Sequence, residues 1–216
     1  MKKTFIILLS LFISLSVLAK DGKVIFSKGN VLVNTSKAVK GSEFSYQDKI
    51  TVGEDGLAVI NINPGTTIKL KAGTELIIEK PLKTKSTSSF SYILSKGEIF
   101  VKATRTNQNR YNVKTKHATM GVRGTQFFVS STGKSKGQDW MCVNEGKVEV
   151  TVDNVKGTVL VNEGEGVAIS GGILPKKKRY KWTKALNWKL DGDAKEIEDK
   201  TKIQNINYDL ENKEYE

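Results

Sequence analysis

The chain has 216 residues, of which 38% are hydrophobic and 27% charged, and it carries a formal net charge of +12. That composition suits one globular domain of roughly 100–200 residues plus extra segments, and excludes a multispan membrane protein or a disordered polyion. One cysteine and one histidine exclude a disulfide framework, a cysteine-rich zinc site and the multi-histidine metal motifs, so no metal or cofactor is expected.

Residues 1–19 read MKKTFIILLSLFISLSVLA. Lys2 and Lys3 form a positive leader, Thr4 to Leu15 is an apolar run, and Val17 and Ala19 supply the small residues that a signal peptidase reads. The run is shorter than the roughly 20 apolar residues of a membrane span. A signal peptide cleaved before Lys20 is expected, with no transmembrane span after cleavage. The product is then exported, to the periplasm or beyond it.

Residues 22–170 alternate in the manner of strands. LAVININ (57–63) and KVEVTVD (147–153) switch between apolar and polar side chains, and turn signals such as Asn63–Pro64–Gly65 and Lys71–Ala72–Gly73 separate the runs. No sustained helical spacing occurs. The expectation is an all-β sandwich or roll of many short strands. SKGNVLV (27–33), SKGEIFV (95–101), NEGKVEV (144–150) and NEGEGVA (162–168) share one pattern, a polar pair and then Gly29, Gly97, Gly146 or Gly164. Glycine adopts positive φ without steric cost, so each is expected to be a turn feeding a strand. The uneven intervals argue against a solenoid. KTKSTSSFS (83–91) and RTNQNR (105–110) read as polar loops.

His117 reads as an exposed histidine at a strand end, or else as a pH-sensitive group. Cys142 lies in the apolar run DWMCV and reads as a buried, inert thiol, with an intermolecular disulfide as the alternative. Residues 176–189 hold seven basic groups and no acid, and residues 190–216 hold four basic and nine acidic groups. The stretch 176–216 therefore reads as a basic linker and an acidic tail. Lys176, Lys177, Lys178, Arg179 and Lys181, interleaved by Tyr180 and Trp182, are candidates for contact with an anionic surface, where lysine attracts and aromatic rings suit the headgroup zone. Export makes nucleic acid an unexpected partner. Ile197, Ile203, Ile206 and Leu210 allow a short helix, and disorder is the alternative for the last 15 residues.

YNVKTKHATMGVRGTQFFV (111–129) is the most specific stretch. Gly121 and Gly124 flank Val122 and Arg123, which predicts a tight turn or bulge where a strand begins. Beyond Thr125, Phe127 and Val129 should face one side of their strand and Phe128 the other. Arg123 could hold an anion bidentately or tie its turn to an acidic residue of a neighbouring strand. The stretch resembles the signature box of the FecR-domain family, the periplasmic part of ferric-citrate-type regulators. GKVIFSKGNVLV, DKITVGEDGLAVININPGTTIKL, LSKGEIFVKA and VNEGKVEVTV resemble the flanking motifs in the same order, so the resemblance covers roughly residues 22–170.

That resemblance implies a jelly-roll-like β-sandwich over residues 20–175, an exported location and no enzyme. It also implies that Gly121, Val122, Arg123, Gly124, Thr125 and Phe127 serve the fold. Regulator members place a cytoplasmic anti-sigma segment and a membrane helix before this domain. Here the signal peptide leads straight into it, as in exported members carrying the domain alone. Three functional readings follow. The first is a non-enzymatic binding or scaffold module of the cell envelope, touching another envelope protein or an anionic surface. The second is a periplasmic sensor acting through a separate membrane partner. The third is an enzyme acting on cell-wall polysaccharide, for which no G-x-S-x-G elbow, P-loop or dinucleotide fingerprint speaks.

Overall fold

The computed structural model describes residues 20–134 and 137–201. The signal-peptide reading of 1–19 and the helix-or-disorder reading of the last 15 residues lie outside the described residues.

Eighteen strands join in one curled sheet among the described residues, which is the all-β fold that the alternation predicts and which a jelly-roll-like arrangement fits. The sheet folds over itself as two layers around a 16-residue strand, Ser88–Ala103. The second half of that strand lies in the first layer, flanked by Thr66–Leu70 and Thr125–Ser131. Leu57–Ile62 and Gly22–Lys28 continue the layer on one side, and Asp139–Glu145, Gly166–Ile169 and Lys177–Lys178 on the other. The first half lies in the second layer, between Glu75–Ile78 and Asn109–Lys114. Lys49–Val52 and Val31–Val33 extend that layer on one side. Ala118–Val122, Lys147–Val152 and Val159–Asn162 extend it on the other. Ser88–Ile93 pairs parallel with Asn109–Lys114, while the remaining ladders are antiparallel. KTKSTSSFS is thus not one loop, because the central strand begins at Ser88.

One core cluster takes side chains from both layers, including Ile99, Val101, Phe127 and Met141 from the first and Leu76, Tyr92, Tyr111 and Val150 from the second. The second layer turns alternate residues outward, as in Lys147–Val152, where lysine, glutamate and threonine are exposed and the three valines buried. This is the pattern of a sheet with one solvated face. Thr125–Ser131 breaks it, since all seven residues are buried. The first layer is therefore covered on both faces along this strand.

The recurrent glycines act as corners between layers rather than as hairpin turns. At Gly29 the chain leaves Gly22–Lys28 in the first layer for Val31–Val33 in the second, and at Gly146 it leaves Asp139–Glu145 for Lys147–Val152. Gly164 and Gly124 carry it back. Gly97 makes the same passage inside the long strand, next to a register shift at Leu94/Lys96. These five glycines have φ between +68° and +98°, where a Cβ is disfavoured and where sheets bend sharply. Gly124, with φ +68°, is also pressed against Arg105, whose side chain an added Cβ would overlap, whereas Gly164 has open space around it. Gly124→Ala is expected to cost about 2–4 kcal/mol, strain and overlap together, and Gly164→Ala about 1 kcal/mol. Urea unfolding of the two variants checks this, and equal losses would refute the corner argument at Gly124.

Candidate functional site: the face beneath the C-terminal strap

The outer face of the first layer carries one row of Cα partners: Val59, Lys69, Phe100, Phe128, Cys142 and Gly166. Residues 180–201 cross this face as a strap. Tyr180, Trp182, Leu186 and Leu190 form a second buried cluster with Phe100, Phe128, Trp140 and Cys142. Ile197 completes a third with Leu57 and Val59. The rings meet edge-on, with Phe100 and Trp188 centroids 5.3 Å apart, Phe128 and Trp182 6.0 Å, and Trp140 and Tyr180 5.8 Å. Such pairs add to the area that they bury. Gly166 makes room for Tyr180, since a Cβ there would come within 3.0 Å of its ring.

Local chemistry shapes the strap. Lys181–Ala185 is a single 3-10 turn. Ala194–Ile197 is one helical turn, capped by Asp193 and Glu196 in a reciprocal capping box. Neither is long enough to stand alone, and side chains of the sheet hold both. The Lys69 ammonium donates to three strap carbonyls, those of Asn187 (2.5 Å), Lys189 (2.8 Å) and Ile197 (2.9 Å). It lies 4.1 Å from the centre of the Phe100 ring. Lys71 bonds Asp199 at 3.0 Å, Glu98 at 2.6 Å and the Thr201 carbonyl at 2.6 Å. Gln126 donates to the Trp188 carbonyl at 2.9 Å, and Asp199 accepts from the Asn187 N–H. Lys69 is fully buried, and that desolvation lowers its pKa to about 8, against the pull of Asp199 and with a small push from Lys71. Among the described residues the buried indole N–H of Trp182 meets no acceptor, a cost within the strap.

The structure places the residues singled out in the sequence as follows. Val122 and Phe127 point into the core. Thr125 ties the Gly124 corner to its neighbour by donating to the Lys147 carbonyl at 3.1 Å. Gly121 sits within Ala118–Val122 and does not flank the turn. Arg123 is exposed, and its structural tie runs to neutral groups instead of an acid, namely the Thr106 carbonyl (3.0 Å) and the Asn107 side-chain oxygen (2.6 Å). It thereby pins the RTNQNR loop.

Of the basic run, Lys176, Lys177 and Arg179 are exposed and Lys178 is half-buried. Lys177 and Lys178 form the edge strand, and Lys177 pairs with Glu165 at 3.1 Å. Lys181 lies in the 3-10 turn. Tyr180 and Trp182, expected among surface charges, are 9% and 4% exposed, because the aromatic face of the sheet competes for them with any outside surface. In place of a linker, residues 176–201 are bonded to the sheet.

His117 is buried, and its Nδ1 lies 2.9 Å from Asp139 Oδ2. This corrects the expectation of an exposed strand-end histidine, since Asp139, fully buried, supplies the partner that makes burial tolerable. Cys142 is a free, buried thiol whose pKa desolvation raises well above its ordinary value, which withdraws it from nucleophilic chemistry. Among the described residues, no three His, Cys, Asp or Glu side chains converge as metal ligands, and no helix is long and apolar enough to cross a membrane. Sequence reasoning missed Lys69, Lys71, Gln126 and Asp199. The alternation of TIKLK puts both lysines on an outward face, and nothing local says that this face is covered.

Comparison with known proteins bears on the same body. Residues 48–149 match the family described as FecR protein. Two crystal structures of a candidate anti-sigma factor from Parabacteroides distasonis ATCC 8503, at 1.65 and 2.50 Å resolution, share the fold with a TM-score of 0.52 and 24% identity. The match covers 63% of this chain and 63% and 62% of those chains, so less than two thirds of their length is spanned. No curated protein matches the chain.

Proposed function

We propose that this chain, whose residues 48–149 form a FecR-type domain, is an exported, non-enzymatic binding module that serves as the sensor-like component of a regulatory system. The observation that carries this reading is the strap. It is the one described element held to the sheet chiefly by side chain-to-carbonyl bonds and ring contacts rather than by a long ladder. Its release would bare Phe100, Phe128 and Trp140 for a partner protein. A two-state element of this kind is what converts binding into a signal. The naming of the fold neighbour as an anti-sigma factor favours regulation over a passive scaffold. The leader at residues 1–19 supports export, and the buried states of Cys142 and His117 support a role without catalysis.

A second reading keeps Lys176, Lys177, Lys178 and Arg179 as a contact for an anionic envelope surface. The exposure of three of them supports it, and the burial of Tyr180 and Trp182 leaves it Coulombic attraction alone, about 1 kcal/mol per basic residue.

Transcript profiling of a deletion strain tests the regulatory reading. Loss of the gene is expected to change a few operons under envelope stress or iron limitation. The wild-type gene restores them, and a Lys69→Met gene, with its strap loosened, shifts them without the stress. A flat profile in all three strains overturns the proposal.

A further inference from the structure

We propose that the open cleft around the signature turn binds a small polyanion, a molecule carrying at least two carboxylate or phosphate groups. The site lies on the solvated face of the second layer, away from the strap, and its argument is independent of the strap.

Register assembles it. Tyr111, Val122 and Val148 are Cα partners across three strands. One step toward the corner from each stands Arg110, Arg123 and Lys147. All three are exposed, and together with Arg105 they line one concavity of about 840 Å3. Adjacent strands lie about 4.8 Å apart, so the three neighbouring strands bring these cations to one end of the same cleft. Like charges opposed across strands destabilise a sheet. Among the described residues, none of these four cations has an ion-pair partner. Arg123 spends two N–H groups on neutral oxygens, which fixes its guanidinium without cancelling its charge. A carboxylate or phosphate between neighbouring members would turn repulsion into charge-assisted hydrogen bonds.

The floor supplies a second, independent indication. Gly121 sits in the interior of a strand with no positive φ. An added Cβ would meet only Asn112 Oδ1 at 3.5 Å and the Glu149 carbonyl at 3.8 Å. Neither a turn nor a crowding backbone asks for glycine there, and glycine inside a strand often marks close approach by a ligand. Thr119 and Thr151, Cα partners beside Gly121, also line the cleft and can offer hydroxyl groups to the same ligand. Glu149, the one carboxylate among the described residues of the lining, is the Cα partner of Gly121, and its single charge opposes an anion there without outweighing the four cations. Among the described residues no aromatic ring lines the cleft, which disfavours a neutral sugar or a nucleobase that would need stacking.

Calorimetric titration of the purified protein with tripolyphosphate and, separately, with a trigalacturonate tests the inference. At least one is expected to bind at low ionic strength, more weakly as salt is added. Arg110→Gln with Lys147→Gln is expected to lower the affinity about tenfold or more. Gly121→Leu, which fills the floor without touching a charge, is expected to abolish binding at an unchanged melting temperature. Binding of tripolyphosphate alone identifies phosphate as the recognised group, and binding of trigalacturonate alone identifies carboxylate. The inference is overturned if neither probe binds at about 1 mM, or if both variants bind as the wild type does.

Discussion

Truncation after Arg179 is expected to lower the melting temperature by about 10–20 °C and to make the protein associate. The strap covers Phe100, Phe128, Trp140, Leu57 and Val59, each at most 5% exposed. Removing Tyr180, Trp182, Leu186, Leu190 and Ile197 opens a contiguous apolar face and strands the Lys69 ammonium beside it. A single large-to-small change at a site like Phe128 costs about 3–5 kcal/mol. Baring the whole face forfeits at least about 5 kcal/mol, the lower end of a domain's entire net stability. In a domain of this size each kcal/mol is worth about 2–4 °C. Association follows because exposed apolar patches of this kind seek cover. Truncation after Thr201 keeps every described contact of the strap and is the matched control. Calorimetry and light scattering on the two truncations decide the matter. A protein ending at Arg179 that stays monomeric and melts within a few degrees of the full chain would show that the strap is an accessory to a face that is stable without it.

Lys69→Met is expected to cost about 2–4 kcal/mol and to loosen the strap while leaving the sheet folded. Replacing a buried charge by an apolar side chain is often neutral when its partner is removed as well. Here the partners are the main-chain carbonyls of Asn187, Lys189 and Ile197, which no substitution removes, so they lose their donor inside an apolar interface. Protease sensitivity between residues 186 and 198 should rise. The same lysine predicts a pH dependence. With the strap docked its pKa is about 8, below the ordinary 10.5, so the docked state holds fewer protons than the released one between those values. Docking is therefore weakest below about pH 8 and strengthens as pH rises toward 10.5, by about 2 kcal/mol between pH 8 and pH 10. Burial also raises the Tyr180 phenol above its ordinary 10.0, so from about pH 10 upward its ionisation in the released strap opposes the lysine trend, which is read below that pH. Tryptophan fluorescence of strap release in urea, followed across that range for the wild type and for Lys69→Met, checks both statements. The wild type should gain stability and the variant should not. A flat wild-type profile would mean that the three carbonyls hold the ammonium charged against desolvation.

Both predictions turn on contacts between residues far apart in the chain, as Lys69 is from Asn187, 118 positions away, and that separation decides what the sequence could say. Strand content was legible because the strand period is two and the solvated second layer obeys it, as KVEVTV does. That Phe127 and Val129 share one side of their strand and Phe128 takes the other was legible for the same reason, and the family match at 48–149 agrees with the quoted signature. The recurrent glycines were legible as positive-φ positions, because that property belongs to the residue and its two neighbours. Their use as corners between layers was not, since a corner is defined by which strands pair on either side of it.

The sequence alone thus determined the all-β class, the glycine-marked breaks, the alternation of Phe127, Phe128 and Val129 along the signature strand and the buried state of Cys142. Each rests on local sterics or on periodicity along one strand. Only the tertiary structure decided that Tyr180 and Trp182 face the sheet and not an outside surface, that Lys69 is buried, that His117 meets Asp139, and that Arg110, Arg123 and Lys147 line one cleft. A side chain on the outward face of a strand has the same sequence signature whether water, a strap or a ligand covers it. What covers it is settled by the free energy of docking distant segments, and that quantity is not written in any short stretch of the chain.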